Sequence, residues 1–231
     1  MPKTLVVSDI HEDWHYVQMA EERAAAADRV VCLGDYWDSW DGVTENTPLV
    51  TNWVKAKLAD QKWTMLWGNH DIHYAFPIKQ LFSSGYSDIR QQIITSLFNN
   101  QDWDKFRFHI FVDDWLLTHA GVASKEFGPA QFDVVEQSAK DSLLKGIMHP
   151  WYEAGRSRGG FAKMGGLTWA DWSEVKVVGV NQLCGHTEGR EIREKVDATG
   201  DAGFRSVCMD TQRRHFGWIE DGELTFEQVR K

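Results

Sequence analysis

The sequence predicts an α/β fold of parallel βαβ units whose chemistry lies at the C-terminal ends of the strands. Three early segments share one grammar: TLVVSDIH at 4–11, RVVCLGDYWD at 29–38 and WTMLWGNHD at 63–71 each run apolar and halt on Gly or a polar residue. Runs of this length, rich in β-branched and aliphatic residues, read as strands buried on both faces. Helical patterns follow them, and that alternation implies parallel pairing. Metal-binding residue types recur where these runs stop.

The elements follow in order. Helices are expected at 14–27, which ends in an Ala run, and at 48–60, with Thr47 and Pro48 as cap and first-turn residue. From about 72 to 100 the pattern is helical, with Phe76, Ile78, Leu81 and Phe82, then Ile89, Ile93, Ile94 and Leu97, at spacings of three and four. Ser83, Ser84 and Gly85 divide it into two pieces. FRFHIFV at 106–112 and WLLTHAG at 115–121 form a hairpin about Asp113 and Asp114. A helix at about 131–145 precedes MHPWYEAGRSRGGFAKMGG, a long loop rich in Gly and Arg, and such loops inside compact domains are often functional. VKVVGVNQLCGHT at 175–187 reads as another strand, and FRSVCMD, HFGWIE and ELTFEQV as closing ones. With no internal repeat, low-complexity tract or linker, residues 1–231 read as one domain.

At 231 residues the chain can bury roughly 70% or more of its extended surface without covalent staples. Cys32, Cys184 and Cys208 show no pairing or CxxC spacing, which suits reduced thiols and a cytoplasmic setting. No apolar run reaches spanning length, so no membrane association is expected. A net charge of −9 carried by scattered acidic residues argues against a nucleic-acid backbone as partner. Twelve tryptophans run from Trp14 to Trp218, and most read as core or half-buried filling.

Asp9 and His11 follow the first strand, Asp35 and Asp38 the second, Asn69, His70 and Asp71 the third. His119 closes WLLTHAG, and His186 follows VKVVGVNQLCG. In an open α/β sheet the carboxyl ends of strands line one crevice, so these residues should converge. Singly, Asp9 could cap a helix, Asn69 make a turn and His119 sit as a satisfied core histidine. Together they form a buried cluster of carboxylates and imidazoles that would be costly without a cation.

DIH at 9–11, GDYWD at 34–38, GNHD at 68–71, HAG at 119–121 and GHT at 185–187 resemble, in order, the calcineurin-like metallophosphoesterase superfamily. The pattern is most similar to its phosphoprotein phosphatases and symmetrical dinucleoside tetraphosphatases, and CMDTQRRHFGWIEDGELTF resembles their closing hairpin. The resemblance implies a four-layer βαβ sandwich of two mixed sheets flanked by helices. It implies two divalent cations: one held by Asp9, His11 and the bridging Asp35, the other by Asp35 with Asn69, His119 and His186. Two such ions roughly 3.5–4 Å apart can polarise a phosphoryl oxygen and generate a bridging hydroxide for direct attack. Mixed N and O donors suit Mn, with Fe or Zn as further fits. His70, a non-ligand imidazole, would protonate the leaving group, oriented by Asp38. Asp71 is a cap or a partner of the ligands.

The chain departs from the pattern at Ser39, where the phosphoprotein phosphatases carry a phosphate-clamping arginine that a hydroxyl does not replace. Arg156, Arg158 and Arg190 are the candidate phosphate-binding substitutes, each with a plain alternative as a solvated surface charge. GHT continues to Glu188 rather than a second histidine, which favours the phosphatase-like branch, with Glu188 as a replacement ligand the alternative. Trp37 and Trp40 flank the site segment and could stack on an aromatic substrate or pack as a lid. His15, His73, His109, His149 and His215 lie outside the motifs and read as structural or exposed. The expected function is hydrolysis of phosphate monoesters on a phosphorylated small-molecule, nucleotide or protein substrate. The alternatives are cleavage of dinucleoside polyphosphates and a non-catalytic binding protein on the same fold.

Overall fold

The computed structural model describes residues 2–123, 132–177, 179–196 and 203–229. These form two compact units, Met1–Arg107 with Arg213–Lys231, and Phe108–Gln212. Each unit is organised on one mixed five-stranded sheet.

In the first unit, β1 (Thr4–Val7), β2 (Arg29–Cys32) and β3 (Trp63–Met65) are parallel and adjacent, as the alternating pattern predicts. The closing hairpin β9 (His215–Glu220) and β10 (Glu223–Gln228) adds antiparallel to β1, giving the order β10-β9-β1-β2-β3. Helix α1 (Trp14–Ala24) is capped by Asp13, whose carboxylate accepts from Tyr16 N at 2.9 Å, and it buries Tyr16, Val17, Ala20 and Ala24 along one stripe.

Helix α2 (Thr47–Leu58) starts one residue earlier than the sequence suggests, with Asn46 at the cap position. Neither polar side chain caps it, because both turn to Glu12: Thr47 Oγ1 donates to the carboxylate at 2.6 Å and Asn46 Nδ2 to the backbone carbonyl at 3.0 Å. Helices α3 (Asn69–Ala75), α4 (Asp88–Leu97) and α5 (Asn100–Trp103) complete this unit. The tryptophans largely fill the core as expected: Trp67 stacks on Phe106 at 4.4 Å between ring centroids, and Trp37 meets Trp103 edge-on at 5.8 Å.

In the second unit β4 (His109–Val112) and β5 (Trp115–Thr118) form the hairpin placed at Asp113, whose φ is +51°. β5, β6 (Asn181–Cys184) and β8 (Arg205–Cys208) run parallel, and β7 (Arg193–Val196) closes the order β4-β5-β6-β8-β7. The strand at 175–187 is shorter than its apolar run, since only 181–184 join the ladder. Val175 instead packs into a small core with Ala120, Ala123 and Ala170, and Val178 lies outside the described residues. Helix α6 (Phe132–Leu144) matches the expected helix, whose anticipated first residue Gln131 is likewise outside them. The long 148–166 loop contains two single 3₁₀ turns, Pro150–Tyr152 and Arg156–Arg158. Cys32, Cys184 and Cys208 are buried free thiols. Among the described residues no helix is long and apolar enough to cross a membrane.

Candidate functional site

Three of the expected ligands converge in the first unit. Asp9 and His11 lie on the turn after β1, Asp35 on the turn after β2, and all are buried with their donor atoms within 4.8 Å of one another. Backbone bonds set the spacing: Ile10 N and His11 N both donate to Asp35 O, at 2.9 and 2.8 Å. His11 and Asp35 adopt left-handed φ values of +45° and +55°, which non-glycine residues rarely hold without such surrounding ties. His11 Nδ1 lies 3.0 Å from Trp37 O and 3.1 Å from Asp38 O, so it carries the proton and donates to the backbone. That leaves the Nε2 lone pair facing Asp35 Oδ2 at 3.6 Å, the tautomer a metal ligand needs. Burial pushes the His11 imidazole below its ordinary pKa, with Asp35 offsetting only part of this, which favours the same neutral form.

Glycines explain how two strand ends come so close. A Cβ on Gly34, whose φ is +110°, would lie 2.5 Å from Gly68 N, and a Cβ on Gly68 would overlap Asp35. The Gly before each motif acid or amide is therefore required by close approach. Asp71 secures the junction, accepting from Asp35 N, Tyr36 N and Gly68 N, each at 2.8 Å. It caps α3 and holds the backbone of the turn that carries Asp35. Asp35 Oδ1 accepts from His70 N at 2.9 Å, and Asn69 is buried at the first position of α3.

His70 and Asp38 pair as expected, with Nδ1 2.7 Å from Asp38 Oδ2. The site is larger than a dyad, however. His73 Nε2 lies 3.2 Å from the same oxygen, Tyr74 OH donates to Asp38 Oδ1, and Ser83 Oγ sits 2.9 Å from His70 Nδ1. Gly85 presses on Asp38, where a Cβ would come within 2.6 Å of Asp38 Cβ. Burial alone would raise the Asp38 pKa, but hydrogen bonds from His70 and His73 hold it well below the carboxylate range. Burial likewise opposes the His70 imidazolium, yet the Asp35 charge and the Asp38 hydrogen bond raise its pKa, favouring the protonated form an acid requires. For His73 burial prevails over Asp38 and its pKa falls.

His73, which reads from the sequence as structural or exposed, is fully buried and belongs to this cluster as a neighbour of Asp38. Its signal was its place three residues after His70, with Tyr74 at four, on one face of a helix.

Ser39 has a neighbour the sequence did not flag. The Arg90 guanidinium, buried on α4, donates to Ser39 Oγ at 2.7 Å, Val43 O at 2.9 Å and Glu12 Oε2 at 2.9 Å. Trp37 is fully buried and gives Nε1–H to Thr51 Oγ1 at 3.0 Å, which settles it as core. Trp40 is 62% exposed, its ring 5.1 Å from that of His11 and 5.7 Å from that of His70.

In the second unit, His119 and His186 follow the adjacent parallel strands β5 and β6. His119 Nε2 and His186 Nδ1 are 3.2 Å apart, and Gly185 N donates to His119 O at 2.7 Å. His186 has φ +67° and a Trp169 ring at 5.8 Å. Of the candidate arginines, Arg158 is engaged next to this pair, by Thr187 Oγ1 at 2.7 Å and Asp171 Oδ2 at 3.0 Å. Arg156 and Arg190 are exposed, as is Glu188.

The donor chemistry fits divalent cations. Two carboxylates and an imidazole with its lone pair turned toward them form a mixed N/O set in the first unit, and the second presents two imidazole nitrogens at contact distance. A family model described as calcineurin-like phosphoesterase matches residues 2–206. The chain belongs to that family.

Among solved structures, a cold-active protein tyrosine phosphatase aligns with a TM-score of 0.60 at 15% identity, covering 100% of this chain and 79% of that one. A serine/threonine phosphatase from Saccharomyces cerevisiae with similarity to human phosphatase PP5 aligns at 0.56 and 14%, covering 100% and 80%. A proposed diadenosine tetraphosphatase aligns at 0.54 and 15%, covering 98% and 93%. These share the fold. No curated protein matches the chain.

Proposed function

We propose that the protein is a metal-dependent hydrolase of phosphate monoesters. The observation that carries this reading is the Asp9, His11 and Asp35 donor set, hydrogen-bonded through Asp35 to the backbone of His70, whose imidazole pKa Asp35 and Asp38 raise. In this reading Asp9, His11, Asp35, Asn69, His119 and His186 hold two cations, with manganese the first to try. When bound, they supply Lewis acidity toward a phosphoryl oxygen and lower the pKa of water. The chain's own groups do the rest. His11 is locked in its ligand tautomer by two backbone carbonyls. Asp38 keeps the His70 proton, which passes to the departing alkoxide or phenoxide oxygen as the P–O bond breaks.

No Ser or Cys nucleophile enters, so water attacks phosphorus directly. The site in this reading serves the cytoplasm, in keeping with three free thiols.

A panel of an aryl phosphate, a phosphopeptide and a dinucleoside tetraphosphate, run with added Mn²⁺, tests the proposal. Turnover of the aryl phosphate or phosphopeptide above the tetraphosphate is the expected result. The opposite order replaces the monoester with a phosphoanhydride, and no turnover with any divalent ion points to a binding protein on this fold.

A further inference from the structure

Trp40 is out of place for an ordinary indole. It is exposed, yet the loop that carries it is tied by several hydrogen bonds. Arg90 joins Ser39 Oγ, Val43 O and Glu12, Ser39 Oγ donates onward to Val43 O at 2.8 Å, and Asp41 Oδ1 accepts from Val43 N at 3.0 Å. The backbone on either side of Trp40 is thus tied down, while the indole itself has no core to cover it. Beside it opens a cavity of about 490 Å³, lined by His11, Trp14, His15, Trp40, Asn46 and Arg213 among others. That volume is ordinary for a small-molecule site, for which about 300–1,000 Å³ is typical.

The cavity's charge narrows what it can take. Three carboxylates line it, Glu12, Asp13 and Asp41, and each is engaged: Glu12 by Arg90, Asp13 by Arg213 at 3.2 Å and by Tyr16 N, and Asp41 by Val43 N. Arg213, the arginine that lines the cavity, is committed to Asp13, and Arg90 behind the lining to Glu12, which leaves no surplus positive charge for a second phosphoryl group. An aromatic face remains, next to the rings of His11 and His70.

We propose that this cavity is a leaving-group subsite that takes the planar, uncharged aromatic ring of a phosphate ester, stacked on Trp40. It rests on the phosphohydrolase reading for its function, though not for its geometry. The loop tied by Arg90 already presents the indole beside the cavity, which lowers the loop-ordering cost of binding. A phenolic ester and a nucleotide share this ring chemistry, and the measurement distinguishes them.

The chain labelled with 5-fluorotryptophan gives one fluorine resonance per indole, and Trp40→Phe identifies the Trp40 line. Titration with phenylphosphonate, adenosine or methylphosphonate should move that line with phenylphosphonate, adenosine or both, and not with methylphosphonate. The ring that moves it names the source. In parallel, Trp40→Ala should lower the kcat/KM ratio of phenyl phosphate or adenosine monophosphate over glycerol phosphate by about tenfold, and Trp40→Phe should keep it within about twofold. An unmoved line with both rings, or a ratio unchanged in Trp40→Ala, overturns the subsite. A moving line in a chain that hydrolyses nothing keeps the subsite and removes the phosphohydrolase reading. Hydrolysis with an unmoved line does the reverse.

Discussion

Two buried histidine–carboxylate pairs invite comparison, one in each unit. His70 Nδ1 lies 2.7 Å from Asp38, and His109 Nδ1 lies 3.1 Å from Glu136. By distance and burial they are alike, and their settings separate them. Asp38 has a left-handed φ of +66° on the segment after β2, three residues beyond Asp35 of the candidate donor set. Glu136 sits on α6, accepts from Phe108 N at 3.0 Å, and joins that helix to β4 among Phe132 and Trp151. His109, Asp133 and Glu136 also bring donor atoms within 4.8 Å, but both His109 nitrogens face a carboxylate of α6, which ties helix to strand. In the proposed function the first pair is the chemical one, marked by backbone strain and a donor set beside it, and the second is structural, joining two packed elements.

The comparison breaks most visibly at His70. His70→Ala should lower kcat on an aryl phosphate by roughly 10²–10⁴-fold with metal content and melting temperature nearly intact, and unchanged turnover would remove its role as acid. Asp38→Asn should follow in the same direction with a smaller loss, about 10–100-fold, and should flatten the limb of the pH–rate profile set by His70. A kcat matching wild type across pH would show that Asp38 does not hold the proton.

The second pair should answer only to stability. Glu136→Gln should cost about 1–3 kcal/mol, a drop of roughly 3–10 °C in melting temperature, with wild-type kcat at 25 °C. Burial raises the Glu136 pKa, but its hydrogen bonds from His109 and Phe108 N outweigh that and lower it. Its contribution is therefore fully present above the unfolded glutamate value of about 4.3 and is lost as pH falls through the lower folded value. Melting curves between neutral and acid pH should fall less steeply for Glu136→Gln than for wild type, and parallel curves would refute the linkage. The smallest effect belongs to Ser39→Ala, which removes one acceptor of Arg90 while two remain, at about 1 kcal/mol in thermal melts.

The three parallel strands of the first unit and the residues at their ends were legible because each strand is a short apolar run stopped by Gly and a polar residue. The shortened β6 was not. An apolar run such as VKVVGV satisfies strand periodicity whether or not its backbone finds a ladder, and Val175 fills a core instead.

The Asp38 surroundings were only half legible. His70 and Asp38 stand in a motif, whereas Ser83 reaches them from 45 residues beyond Asp38, a separation no spacing rule covers. Arg90 left a trace: it lies four residues before the buried Ile94 on α4, a charge on the inward face of an amphipathic helix. Such a residue needs a buried partner, and Glu12 is its partner here.

The account stands or falls on cation-dependent hydrolysis through Asp35. Protein stripped with a chelator should not hydrolyse an aryl phosphate, Mn²⁺ added back should restore turnover, and Asp35→Asn should regain none while melting as a folded protein. Turnover by the stripped protein at the wild-type rate, or full recovery in Asp35→Asn, would contradict it.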